Sequence, residues 1–171
     1  MFNLMTIDKL DDEDIKQFFI DRFKSINVNF EKEQYLEDIV YYSCGMALVM
    51  QEIGNSIFWN LKSNCLDEST VYGGIENTSI YLENQYLKNS LEEIKSPHYK
   101  NILLKLGKNR LFKFNKLDVI KLLNETEINV FDDFIDKMIV LKVIEATGEE
   151  DTYEFVNILY YAYFLIISTL R

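Results

Sequence analysis

Apolar residues along most of this chain recur at spacings of three and four, the period of helices that bury one face. Leu10-Asp11-Asp12-Glu13-Asp14 leads into Ile15, Phe18, Phe19, Phe23 and Ile26. These share one helical face, and an Asp N-cap with acids in the first turn suits the helix dipole. Val28-Asn29-Phe30 breaks that helix, with Asn29 as the next cap. Tyr35, Leu36, Ile39 and Val40 mark a second helix ending near Cys44-Gly45. The segment 41–61 holds a single charge, Glu52, and its stripe Met46, Met50, Ile53, Ile57 and Leu61 predicts a buried third helix entered through glycine. Residues 62–67 are polar and loop-like. A fourth helix is expected over about 67–94, weakened at its start by Gly73-Gly74. Ser96-Pro97 is the clearest boundary, because the residue before proline is driven out of helical geometry.

Beyond Pro97 the elements shorten. Tyr99, Ile102, Leu103 and Leu106 form a helix ending at Gly107, and Leu117, Val119, Ile120, Leu122 and Leu123 form another. A third covers residues 124–141, capped near Asn124 or Thr126, with Val130, Phe131, Phe134, Ile135, Met138 and Leu141 as its apolar face. Val143-Ile144-Glu145 and Tyr153-Glu154-Phe155-Val156 flank a polar loop and read as a hairpin. Residues 156–170 carry no charge and predict a last buried helix. The fold expected is mainly α: a four-helix lid-like bundle over residues 1–95, then a winged helix with a small β-hairpin over 96–171.

Composition narrows the function classes. Of 171 residues 48% are hydrophobic, enough for a core, and 28 acids against 18 bases give a formal charge of −10. Such a chain repels nucleic acid overall. Two cysteines, Cys44 and Cys65, make neither a CxxC pair nor a disulfide framework, which suits reduced thiols in a cytoplasmic protein. Five acids in residues 8–14 argue against a signal peptide. The longest charge-free run would span roughly 22 Å as a helix, short of a bilayer core, so no membrane role is expected.

Two features together, Ser43-Cys44-Gly45-Met46-Ala47 opening the third helix and a winged helix following the helical unit, resemble the C-terminal half of an archaeal-type P-loop ATPase of the AAA+/STAND group. Gln51-Glu52-Ile53-Gly54, Ile57-Phe58-Trp59, Ser96-Pro97-His98-Tyr99 and Tyr153-Glu154-Phe155-Val156-Asn157 are similar to that family as well, and the likeness covers roughly residues 8–168. The family's Ser-x-Gly-x-Pro signature is matched at Ser43 and Gly45, with Ala47 where proline is usual. The resemblance implies a nucleotide-binding domain ahead of a helical lid, and a winged helix that relays nucleotide state to a protein or DNA partner. It places Gly45, Met46 and Ala47 where the lid approaches nucleotide. The chain has no Walker A loop: its Gly107-Lys108 is followed by Asn109, with Ile102 where the first glycine belongs. No Walker B strand and no phosphate-sensing arginine within 41–61 are present either. The expectation is a chain with no catalysis and no cofactor of its own, ATP and Mg being implied only for a P-loop domain on the same or another chain.

Residues 124–141 carry Glu125, Glu127, Asp132, Asp133 and Asp136 against Lys137, and the wing tip carries Glu149, Glu150 and Asp151. Both would face phosphates with the wrong sign, so DNA binding in the usual winged-helix pose is disfavoured. Residues 100–121 have the opposite sign: Lys100, Lys105, Lys108, Arg110, Lys113, Lys116 and Lys121 against Asp118, with Phe112 and Phe114 interleaved. This stretch reads as a solvated turn with core phenylalanines, as a patch for an acidic partner, or as a contact to nucleic-acid backbone in a free-standing winged-helix regulator. An oligomerisation or adaptor module using the apolar C-terminal helix is a further alternative. His98, the single histidine, reads as a helix-start residue, and no metal site is expected. Cys44 reads as a small buried residue, and Asp11, Asp12 and Asp14 as a capped helix start. Trp59 and Tyr160, Tyr161 and Tyr163 are either core or interface aromatics.

Overall fold

The computed structural model describes residues 9–170, which form a mainly helical chain with two small sheets. It divides into two compact units, Met1–Thr78 and Ser79–Arg171.

In the first unit α1 (Asp12–Ser25) is capped by Asp11, whose carboxylate accepts from Glu13 N at 2.9 Å. It buries Ile15, Phe19 and Phe23 and ends where Asn27 turns left-handed at φ 58°. Helix α2 (Glu33–Ser43) follows, then α3 (Ala47–Asn60). Between them Cys44 and Gly45 are both left-handed, with φ of 55° and 70°. The Gly45 carbonyl accepts from Leu10 N at 2.8 Å, and a Cβ at Gly45 would stand 3.2 Å from both Leu10 O and Lys9 Cβ. Conformation and space therefore both select glycine there. Residues 62–67 are not simply a loop: β2 (Cys65–Leu66) pairs in parallel with β1 (Asn29–Phe30). Helix α4 (Glu68–Leu82) starts at Asp67, whose carboxylate accepts from Thr70 N at 2.7 Å.

The expected fourth helix is interrupted. A π-helical turn at Glu83–Leu87 separates α4 from α5 (Lys88–Glu93). The units also part at Thr78–Ser79, ahead of the Ser96-Pro97 boundary read from the sequence. The reason is packing: Tyr163 OH donates to Glu83 at 3.0 Å, and residues after Leu82 lie against the C-terminal helix. Pro97 sits in the first turn of α6 (Pro97–Lys108), where its missing N–H costs nothing.

The second unit continues with β3 (Lys113–Asn115), α7 (Lys116–Ile120), α8 (Glu125–Asn129), α9 (Phe131–Val140), β4 (Ile144–Ala146), β5 (Thr152–Phe155) and α10 (Ile158–Leu170). The hairpin falls within one residue of the runs read from the sequence, and β3 adds a third antiparallel strand in the order β3-β5-β4. Phe114 lies opposite Tyr153 in that sheet and is buried. The single helix expected over 124–141 is two, divided at Val130 (φ −109°, ψ 8°). Glu127, not an apolar residue, fixes the first of them: Asn124 and Glu127 form a reciprocal capping box. Helix α10 buries Leu159, Tyr160, Ala162, Tyr163, Phe164, Leu165 and Ile166. It packs on α6, where Gly107 admits the Phe164 backbone. No described helix is long and apolar enough to cross a membrane.

Candidate functional site

Helix α3 was expected to be buried, and only one side of it is. Val49, Met50, Ile53 and Ile57 face the core of the first unit, while Ala47, Gln51, Asn55, Phe58 and Trp59 are exposed. The open side forms one wall of a groove of about 590 Å³. The other wall is α1, which contributes Phe18, Arg22 and Ile26, with Phe19 and Gly54 at the floor. A Cβ on Gly54 would meet the Phe19 ring at 3.1 Å, so the glycine lets the two helices close below the groove. The volume lies within the roughly 300–1,000 Å³ typical of small-molecule sites.

Arg22 is the one charged residue in the lining, and its guanidinium sits 5.3 Å from the centroid of the Phe18 ring. Gln51 and Asn55 supply amide donors and acceptors. At the far end Phe58 packs edge-on to Trp59, which is 82% exposed. Glu52, the sole charge of α3, is half-buried, and burial pushes its carboxyl above the usual carboxylate range. The groove can bind and desolvate a flat or apolar group; its lining holds no carboxylate, and its one hydroxyl, on Ser25, donates to the Arg22 carbonyl at 2.7 Å.

Of the residues implied by resemblance, Ala47 lines the groove, while Gly45 and Met46 lie just ahead of it as the turn that positions α3. Phe18, Arg22 and Ile26 were missed as a group. Their signal is a second stripe at i, i+4, i+8 beside the buried Ile15-Phe19-Phe23 stripe of α1.

The basic stretch is dismantled by its own chain. Lys105 Nζ donates to Glu127 at 2.6 Å and to the Leu122 carbonyl at 2.9 Å. Lys113 pairs with Glu149 at 2.6 Å, Lys116 with Asp132, and Lys121 with Asp118 at 2.7 Å. Lys100 and Lys108 keep exposed ammonium groups, and Arg110 is held in a left-handed turn at φ 61°. Four of the seven bases thus answer acids of the same unit, including acids of α8, α9 and the wing. Strand β3 takes Phe114 inward, which accounts for the interleaved phenylalanines.

Glu127 is 1% exposed. Burial alone would raise its carboxyl, but the Lys105 ammonium and the Asn124 N–H together hold it below the usual range. Cys44 lies against the Tyr41 and Tyr42 carbonyls, and burial pushes its thiol up to about 12, the opposite of an activated nucleophile. His98 is half-buried at the start of α6, and no group of three or more His, Cys, Asp or Glu among the described residues is placed to hold a metal ion. Tyr160 and Tyr163 are packed inside the second unit, and Tyr161 stands edge-on to Phe112 at 5.6 Å; of the aromatics singled out, Trp59 is the most exposed, touched edge-on by Phe58. No protein-family model matches the chain, and no curated protein or solved structure does.

Proposed function

We propose that the chain is the non-catalytic helical lid and winged helix of a P-loop ATPase of the AAA+/STAND group, working with a P-loop domain on the same or another chain. One observation carries this reading: an apolar groove opens at Ala47, directly after the Gly45 turn, where the resemblance places nucleotide. Its donor set suits a purine base. Phe18, Met50 and Phe58 offer apolar surface, and Gln51 and Asn55 offer amides for the base edge. Arg22 is the one cation of the lining, too little to cradle a triphosphate, so most phosphate contacts and Mg fall to the P-loop domain. ATP bound there supplies the phosphoanhydride chemistry; this chain's residues hold the base and exclude water from it.

In the second unit the order α6, β3, α7, α8–α9, hairpin, α10 supports the winged-helix reading. The acidic α9 and wing, and the internal pairing of the basic stretch, favour a protein partner over DNA.

The test is a titration of the full chain with adenosine and with ADP, followed by amide NMR. Both ligands should shift Ala47, Gln51, Gly54 and Asn55 with similar, weak affinity, and Ala47→Trp should abolish the shifts. No response at these positions from either ligand, or a response confined to the phosphorylated one, would remove the base-covering role.

A further inference from the structure

We propose that the outer face of α9 is a protein-docking surface whose occupant is a basic amphipathic helix. Helix α9 buries Phe131, Phe134, Ile135 and Met138. At 100° per residue Asp132, Asp133, Asp136, Ile139 and Val140 fall within an arc of about 120°, with the half-buried Lys137 about 40° beyond its edge. All five are exposed. Asp132 is engaged by Lys116, which leaves Asp133 and Asp136 as the acids turned to solvent on that arc. Val140 is 74% exposed, and Leu117, next in the chain to Lys116, is 66% exposed. An isolated exposed apolar residue needs no explanation. Here Ile139 and Val140 stand exposed on the same arc as the two acids, and Leu117 follows Lys116, which reaches Asp132 at the start of α9.

Charge complementarity selects the occupant. Nucleic acid is repelled by Asp133 and Asp136 on the helix and by Glu150 and Asp151 on the wing. A second copy of this chain does not present a basic amphipathic helix: among the bases of the described helices only Lys105 and Lys108 of α6 stand three or four apart, and Lys105 is already held by Glu127. A helix with bases spaced three or four apart can meet Asp133 and Asp136, and apolar anchors on its adjoining rows can meet Ile139, Val140 and Leu117. Helix α9 is about 15 Å long, so the contact is short and its affinity depends on both terms together.

This inference rests on the reading of the second unit as a relay, and it names the partner's chemistry. The probe is a fluorescein-labelled synthetic helix of alanine, lysine and leucine, with leucines at i, i+4 and i+7 flanked by lysines. Its anisotropy is followed against the full chain. Binding should weaken as salt rises. Asp133→Lys/Asp136→Lys should weaken it at least tenfold and Val140→Ser about fivefold. Glu92→Lys/Glu93→Lys, which makes the same change of charge on α5, should leave it unchanged. Circular dichroism melts confirm that each exposed substitution leaves the chain folded. Absence of binding, equal loss in the α5 variant, equal binding of a peptide with the same lysines and scrambled leucines, tighter binding of duplex DNA, or self-association through α9 in light scattering would each overturn the proposal. The adenosine titration at Ala47 fails or succeeds independently, so the two readings are separable.

Discussion

Gly73 and Gly74 are neighbours in α4, and the same substitution should move stability in opposite directions at the two. A Cβ on Gly74 would stand 2.4 Å from Ile57 Cγ1, 2.8 Å from Ile57 N and 2.9 Å from its Cα. Two of those atoms are α3 backbone, which cannot turn aside, and Ile57 is fully buried. Ordinary contact begins near 3.4 Å, so α3 and α4 must separate by more than about half an ångström. Overpacking of this kind costs about 1–3 kcal/mol, and a backbone clash belongs at the upper end. Alanine returns about 1 kcal/mol of helix propensity, leaving a net loss of about 2 kcal/mol for Gly74→Ala. A Cβ on Gly73 meets only Asn60 Nδ2, at 3.5 Å, so Gly73→Ala keeps the propensity gain of about 1 kcal/mol. For a unit of this size the two variants should differ in Tm by about 10–20 °C. Far-UV circular dichroism melts of the full chain read the difference, and hydrogen exchange on α3 and α4 amides assigns the transition to the first unit. A Gly74→Ala variant as stable as Gly73→Ala would refute the close approach of α3 and α4.

In the second unit Gly107→Ala should destabilise by a similar amount, read by urea unfolding, because its Cβ would lie 2.5 Å from both the Phe164 carbonyl carbon and its oxygen. Lys105→Met should cost about 2–3 kcal/mol by urea unfolding, since it strands a buried Glu127 carboxylate; Lys105 is a third exposed, which keeps the loss below that of a fully buried pair. The depressed Glu127 pKa contributes stability that is complete above the unfolded-state value of about 4.3 and is lost as pH falls through the lower folded value. The stability difference between wild type and Glu127→Gln should therefore be constant at neutral pH and shrink on acidification below about pH 5. Thiol titration at pH 8 should label the exposed Cys65 rapidly and the half-buried Cys44, whose thiol is pushed up to about 12, only slowly; equal rates would refute the raised Cys44 thiol.

Several elements were legible because local chemistry alone specifies them. Asp11 with three acids behind it starts a helix whatever lies nearby, and it starts α1. Two short runs rich in β-branched and aromatic residues around a polar loop give the β4–β5 hairpin. Other features depend on partners distant in the chain. The two-residue pairing of Asn29-Phe30 with Cys65-Leu66 carries no periodicity to read. Lys113-Phe114-Asn115 becomes a strand because β5 presents an edge to it. Seven bases in one stretch looked like a patch because the acids that answer four of them lie from three to thirty-six positions away.

The sequence by itself determined that the chain is mainly helical, that a glycine turn opens α3, and that residues 124–141 and the wing tip carry an excess of acids. Each of these follows from local period, backbone geometry or summed charge. Only the tertiary structure decided that α3 is half open and walls a groove with Phe18, Arg22 and Ile26 of α1. It also decided that four bases of the basic stretch are paired within their own unit and that α9 turns two acids and two apolar residues to solvent. A one-dimensional pattern states which face of a helix is apolar; which part of that face stays uncovered depends on where the neighbouring helices come to rest.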